Sequence, residues 1–257
     1  MNLVLQRLDD TSPRLELRDP QALQLLRAVP DLGDGLDPER YALACDEVVA
    51  ASAALAPTAR DAFWAYDGGP LETSLLIVEG LLLRRLIIDG RCCAELVGPG
   101  DIVRPWDSEP AGDLPAPTSV RWRVINPTRV AFLDPQFITG AAAWPELLGA
   151  LLTRAVRRSQ SLAVHLTVSS MPRVDDRLWL LFWHLADRWG TVTAAGVRLD
   201  LPLTHELLAE LVGSHRPTAT SALARLAKRG LVARESDGAW RLSADRPPPA
   251  ESVPPAA

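Results

Sequence analysis

The chain has 257 residues, 47% hydrophobic and 23% charged, with a net charge of −5. That is long enough for two modest domains with cores of their own, and the balance is ordinary for a globular protein rather than a disordered one. No apolar run approaches the roughly 20 residues that cross a bilayer, and the start MNLVLQRLDDTSPR lacks a signal-peptide pattern, so a cytoplasmic protein without a membrane partner is expected.

Three cysteines (Cys45, Cys92, Cys93) are too few for a disulfide framework, and the four histidines (His165, His184, His205, His215) are scattered without zinc spacing. Gly33-x-Gly35 and Gly98-Pro-Gly100 lack the later glycines and the Lys-Ser/Thr of a phosphate-cradling loop. No metal, cofactor or catalytic set is therefore expected, and the chain does not read as an enzyme.

Residues 1 to 30 read as loosely structured, with a short helix at Gln21 to Ala28, and residues 37 to 55 have helical composition behind the start signal Asp37-Pro38-Glu39. From about residue 60 the pattern changes to short apolar runs: Ser74 to Val78, Leu81 to Ile88, Cys93 to Val97, Arg121 to Ile125 and Val130 to Leu133. Gly80, Asp89-Gly90, Gly98-Pro-Gly100 and Asn126-Pro127 separate them, which predicts a β-barrel or jelly-roll-like domain. The Pro-rich stretch Ser108 to Thr118 is expected to be a surface loop.

A long helix is predicted from about Trp144 to Val168. Leu148, Leu151, Ala155, Ser159, Leu162 and Leu166 are spaced 3, 4, 4, 3 and 4, an approximate coiled-coil seam. Its first half is expected to pack on its own domain and the helix as a whole to pair with a second subunit. Met171-Pro172 ends it, and Val174 to Trp189 follows as a helix apolar around most of its circumference, hence buried, with His184 as a satisfied core histidine.

Residues 203 to 232, LTHELLAELVGSHRPTATSALARLAKRGLV, read as two short amphipathic helices joined by a glycine turn. Thr204 suits an N-cap, Leu207, Leu208 and Leu211 share one side, and Gly213 stands where a left-handed residue ends the first helix. In the second helix Ala219, Ala222, Leu223 and Leu226 form the buried stripe. Pro217, Ser221, Ala224 and Lys228 lie opposite, flanked by Thr220 and Arg225. After Gly230, two short runs around Ser236-Asp237-Gly238 predict a hairpin wing. Residues 203 to 246 carry seven Lys/Arg against five acids, net +2, leaving −7 for the rest, so positive charge gathers where phosphates would lie. Double-stranded DNA is the expected partner; a scaffold that dimerises without reading DNA and without a ligand is the rival reading. The tail from Arg246, with Pro247 to Pro249, to Ala257 is proline-rich and expected to be disordered.

This order of parts resembles the cyclic-AMP receptor and fumarate-nitrate regulator (Crp/Fnr) superfamily over about residues 60 to 243, most strongly from Leu203 to Val232 and again in Trp183-His184-Leu185-Ala186-Asp187. The resemblance implies an α+β chain. Its expected parts are an N-terminal helical segment (1–58), a cyclic-nucleotide-binding-like β-roll sensor (59–136), a dimerisation helix (137–170), a winged helix-turn-helix (171–246) and a tail (247–257). It also implies a homodimer on a palindromic operator, a possible contact with RNA polymerase, and an allosteric small-molecule effector of unknown identity. Arg216 would read a guanine, Thr218 would hold a phosphate and Ser221 would face the bases. His215 departs from the small hydroxyl residue that usually caps this helix, and Ser221 from the arginine of the cyclic-AMP receptor.

The sensor departs further. Arg104-Pro105-Trp106 stands where cyclic-nucleotide binders carry Gly-Glu, and Thr118-Ser119 where they carry Arg-Ser. A buried phosphate without a cation is costly, so cyclic AMP is not expected. Arg104, with Trp106, Trp122 and Ser119, forms the candidate pocket for another effector. The same residues also read as a surface arginine and core tryptophans. No N-terminal cysteine cluster suits an iron-sulfur centre, and nothing points to heme.

Overall fold

The computed structural model describes residues 14–15, 17–64, 73–104 and 118–244. In chain order the elements are β1 (Arg14–Leu15), β2 (Arg18–Gln24), α1 (Leu25–Ala28), a 3-10 turn (Pro30–Gly33), α2 (Pro38–Glu47), β3 (Val49–Leu55), β4 (Phe63–Trp64) and β5 (Ser74–Ile88). Next come β6 (Arg91–Val97), β7 (Ile102–Val103), β8 (Thr118–Leu133), α3 (Pro135–Ala141), α4 (Pro145–Ser170) and α5 (Val174–Trp189). The last are β9 (Gly190–Thr193), β10 (Gly196–Leu199), α6 (His205–Leu211), α7 (Arg216–Lys228), β11 (Val232–Arg234) and β12 (Trp240–Leu242). They form two compact units that divide at Gln160/Ser161, inside α4.

In the first unit the sheet runs β2-β3-β8-β5-β6, with β7 also paired to β5, while β1 and β4 form a separate parallel pair. Its spine is the long antiparallel pair β5–β8, from Ser74↔Leu133 to Ile88↔Thr118. Asp89 and Gly90, at φ +49° and +73°, make the two-residue turn from β5 to β6, the geometry that matches strand twist. The inward face holds Leu75, Ile77, Leu82, Val97, Val120, Trp122, Val124 and Val130, the interior of the roll. A second core gathers Leu25, Leu26, Ala44, Phe137, Trp144, Leu147 and Leu151, where the helical segments pack on the sheet.

Helix starts follow their caps. Asp37 accepts from the amides of Glu39 and Arg40 at 3.1 and 2.9 Å ahead of Pro38, and Asp134 from Phe137 at 2.7 Å ahead of Pro135.

Three sequence expectations need correction. The segment 1–58, expected to be helical, contributes three strands, β1, β2 and β3: β2 runs through Gln24, leaving a four-residue α1, and the helix expected over 37–55 stops at Glu47. The run Val49–Leu55 is alanine-rich, yet its sheet partners on both sides supply the burial that overrides helical composition. Gly80 and Asn126-Pro127 do not separate strands; they are accommodated as irregularities inside β5–β8, where register shifts fall between Ile77 and Leu82. Gly80, at φ +95°, lies so close to Pro127 and Thr128 that a Cβ would stand 2.3 Å from the Pro127 carbonyl oxygen. The expected loop at 108–118 falls almost wholly outside the described residues, as do Trp106 and the tail 247–257.

The second unit is built on α5, observed with the predicted bounds, and on a sheet in the order β11-β12-β10-β9. The hairpin β9–β10 was not read from the sequence. Its core is Leu178, Phe182, Leu199, Leu203, Leu208, Leu223, Leu226 and Trp240. The Trp240 indole donates to the Leu203 carbonyl at 3.0 Å, and its ring lies 5.0 Å from that of Phe182. His184, half-buried, shares a 3.0 Å hydrogen bond with Ser161.

Candidate nucleic-acid interface

The turn between α6 and α7 sets the geometry of the interface. The Thr204 hydroxyl accepts from the Leu207 amide at 3.1 Å and starts α6. At its end Ser214 N donates to Ala209 O at 2.8 Å and Gly213 N to Glu210 O at 3.1 Å. With Gly213 at φ +59°, this is the double bond pattern of a glycine-terminated helix. α7 then opens on Arg216 and Pro217, after His215, whose side chain makes no capping bond.

Ala219, Ala222, Leu223 and Leu226 of α7 are buried, as the spacing predicts. His215, Arg216, Pro217, Thr218, Thr220, Ser221, Ala224 and Lys228 are exposed along the other side. The side chains on that side are short apart from His215, Arg216 and Lys228, so this face of the helix can approach a groove floor closely. No ion pair among the described residues engages Arg216, Lys228 or Arg229.

Arg225 differs. Its guanidinium grips Asp175 of α5 with two bonds of 2.5 and 2.8 Å, and this pairing holds the Asp175 carboxyl below the usual carboxylate range. It belongs to the packing of α7 on α5 and not to the unoccupied basic face where the sequence reading placed it.

Beside α7, the His205 ring lies 3.1 Å from the Thr220 hydroxyl. Partial burial, then the charges of Arg234 and Arg216, keep its imidazole below the ordinary value, so the positive groups here are close enough to sense one another. The wing β11–β12 turns at Gly238, φ +90°. Its two acids are occupied: Arg198 of β10 pairs with Glu235 and with Asp237 at 2.6 Å, and Arg241 adds a 3.3 Å bond to Glu235. The negative charge of the wing is thereby neutralised from within.

Of the candidate effector residues, the three that are described, Arg104, Ser119 and Trp122, are not brought together. Trp122 is 2% exposed inside the roll, edge-on to Trp64 at 5.9 Å, and it is the Arg84 guanidinium that lies 5.9 Å above its ring. Arg104 is exposed just after β7, whose Val103 pairs with Leu75, whereas Ser119 pairs with Ile87 toward the other end of β5. A cleft of about 570 Å³ opens elsewhere, lined by Val48, Ala50, Phe137 and Ala141 among others, and by none of Arg104, Ser119 and Trp122.

The residues of the seam read on α4 lie in different surroundings. Leu151 is buried in the core of its own unit and Leu148 packs against that core. Among the exposed residues of α4, Gly149, Leu152, Val156, Ser159, Ala163 and Leu166 are spaced 3, 4, 3, 4 and 3. Leu152, Val156 and Leu166 are 67%, 50% and 62% exposed. Ser159 and Leu166 are common to both seams, while Ala155 is exposed and Leu162 half-buried.

A β-roll, a long helix and a winged helix-turn-helix in this order define the class of protein: a β-roll followed by a helix-turn-helix domain. Residues 176–243 match the Crp-like helix-turn-helix domain, and the chain resembles the Crp/Fnr superfamily of transcription regulators. It is 27% identical over 184 residues to the regulatory protein CysR of Synechococcus elongatus, covering 70% of this chain and 76% of the relative. It is 29% identical over 180 residues to the CRP-like cAMP-activated global transcriptional regulator of Mycobacterium tuberculosis, covering 66% and 75%. A solved cyclic nucleotide-binding domain containing protein from Listeria monocytogenes shares the fold with a TM-score of 0.63 at 15% identity, over 87% of this chain and 99% of that one.

Among the described residues no helix is long and apolar enough to cross a membrane, and no group of three or more His, Cys, Asp or Glu is placed to hold a metal ion.

Proposed function

We propose that this protein is a homodimeric, sequence-specific DNA-binding transcription regulator, in which α7 enters the major groove and the wing lies along the backbone. The observation that carries this reading is the exposed face of α7. Arg216, Thr218 and Ser221 stand free of neighbouring elements on a helix whose preceding turn is fixed by Gly213. Paired helices α4 would place two such faces on a palindromic operator, one DNA turn apart. The relatives are named as regulators, one of them as activated by cAMP; here the sensor lacks the Gly-Glu and Arg-Ser pairs, so its input is a signal other than cyclic AMP.

Selection of bound duplexes from a random pool tests the reading. The expected product is a two-half-site sequence with centres about 10 base pairs apart. A pool that stays random, with no salt-sensitive retention, overturns it.

The outward seam of α4 supplies the dimer contact, because exposed apolar residues at 3-4 spacing match a two-helix seam. Val156→Glu places a charge at its middle without touching the core of its own unit. Sedimentation is expected to show a monomer, and operator affinity to fall at least tenfold as the second half-site is lost. An unchanged dimer would move the contact to another surface.

A further inference from the structure

The first turn of α5 carries an arginine placed at the ends of two other helices. Arg177 donates through Nε to the carbonyl of Met171, the residue that closes the last turn of α4 with its own amide bonded to Val168 O at 3.2 Å. Through Nη1 it donates to the carbonyl of Val212, the C-cap of α6, at 3.1 Å, and more weakly to that of Gly213 at 3.5 Å. The glycine-terminated ending of α6 satisfies the carbonyls of Ala209 and Glu210. Those of Val212 and Gly213 come after it and have no helical donor left. One guanidinium therefore caps two C-terminal ends whose dipoles both favour a cation, and no carboxylate among the described residues pairs with it.

We infer that Arg177 is a positioning residue for DNA reading: it couples the end of α4 to the α6–α7 turn and so sets the direction in which α7 presents Arg216. Two facts make the coupling specific. Gly213 is the only residue between the α6 cap and Ser214–His215, so a displacement of the Val212 carbonyl is handed directly to the start of α7. Two residues before Arg177, Asp175 holds Arg225 in the second half of α7 with the two bonds described above. The same turn of α5 thus fixes α7 near its beginning and near its end, and ties both to Met171. A guanidinium can do this because its Nε and Nη1 edges point to different acceptors; an ammonium keeps the charge but offers its donors from a single point.

The inference rests on the DNA-reading proposal, and Arg177→Lys in the full chain separates the two. Affinity for the operator selected by the wild-type protein is expected to fall at least tenfold, whereas affinity for a random duplex of the same length should change less than twofold and keep its salt slope. Hydrogen exchange provides a readout independent of DNA. Protection should drop in the last turn of α4 and across Gly213–Ala219, and hold in the rest of α5 and in β12.

Unchanged operator affinity, or equal loss on both duplexes, overturns the inference. So does protection lost throughout the unit, which would make Arg177 a residue of general stability. If the wild-type chain selects no operator, the DNA reading fails, and the exchange pattern alone decides whether the coupling exists.

Discussion

Arg158→Ala is expected to destabilise the first unit by about 3–5 kcal/mol, the cost of breaking a buried ion pair from one side. Glu95 of β6 receives Arg84 at 2.7 Å and Arg158 of α4 at 2.8 Å; the other Arg158 nitrogen lies 3.6 Å from Asp101, whose second oxygen accepts the Gly98 amide at 2.9 Å. The side chains of Arg158, Glu95 and Asp101 are 12%, 11% and 5% exposed, so little water screens the charges left behind. Removing the arginine leaves Glu95 with Arg84 as its one remaining cation in the cluster, takes the guanidinium from beside Asp101 and releases the middle of α4, although Arg154–Asp31 and Arg40–Glu146 still hold its start.

Denaturant unfolding followed by tryptophan fluorescence, with Trp122 inside the roll, reads the loss as a lower midpoint. Glu95→Gln in the same background should recover only part of it, because one of the two acids that faced Arg158 is gone while Arg84 loses its partner. A cost below about 1 kcal/mol would place the cluster among solvated surface pairs.

That cluster also marks where sequence reading stops. α5 and α7 were legible because apolar spacing, Pro217 and Gly213 all point to the same local answer. The hairpin β5–β6 was legible from Asp89-Gly90. By contrast, the partners Arg84, Glu95, Asp101 and Arg158 are scattered along the chain, and no local period connects them.

β3 was misread because VAASAAL has no strong strand signal of its own; its neighbours supply the burial. The helix α4 was read as a helix whose first half packs on its own domain, and Leu148 and Leu151 do so. It carries two apolar stripes, one through Leu147 and Leu151 into its own core and one through Leu152 and Val156 outward, and composition alone does not assign them. Arg225 was read from its type and its place on a basic helix, while the acid that holds it lies fifty positions earlier.

Arg216→Ala is expected to abolish operator discrimination while leaving most of the salt-sensitive background. Arg216 opens α7 behind the Gly213 turn; it is exposed and has no ion pair among the described residues, so its guanidinium is available to a base edge. A bidentate arginine–guanine contact is worth about 1–3 kcal/mol of discrimination, roughly fivefold to more than a hundredfold for each half-site. In a dimer the loss is taken twice.

Random duplex should be held almost as before, its salt slope falling by no more than about one unit per arginine removed, since Lys228, Arg229 and Arg234 remain beside the helix. Titration of the selected operator and of scrambled sequence, each over a salt series, separates the two contributions. Equal loss on all sequences would assign Arg216 to the phosphates. In that case the polar face formed by Thr218 and Ser221 would have to carry base recognition without it, through hydroxyls that discriminate among bases far less sharply than a guanidinium.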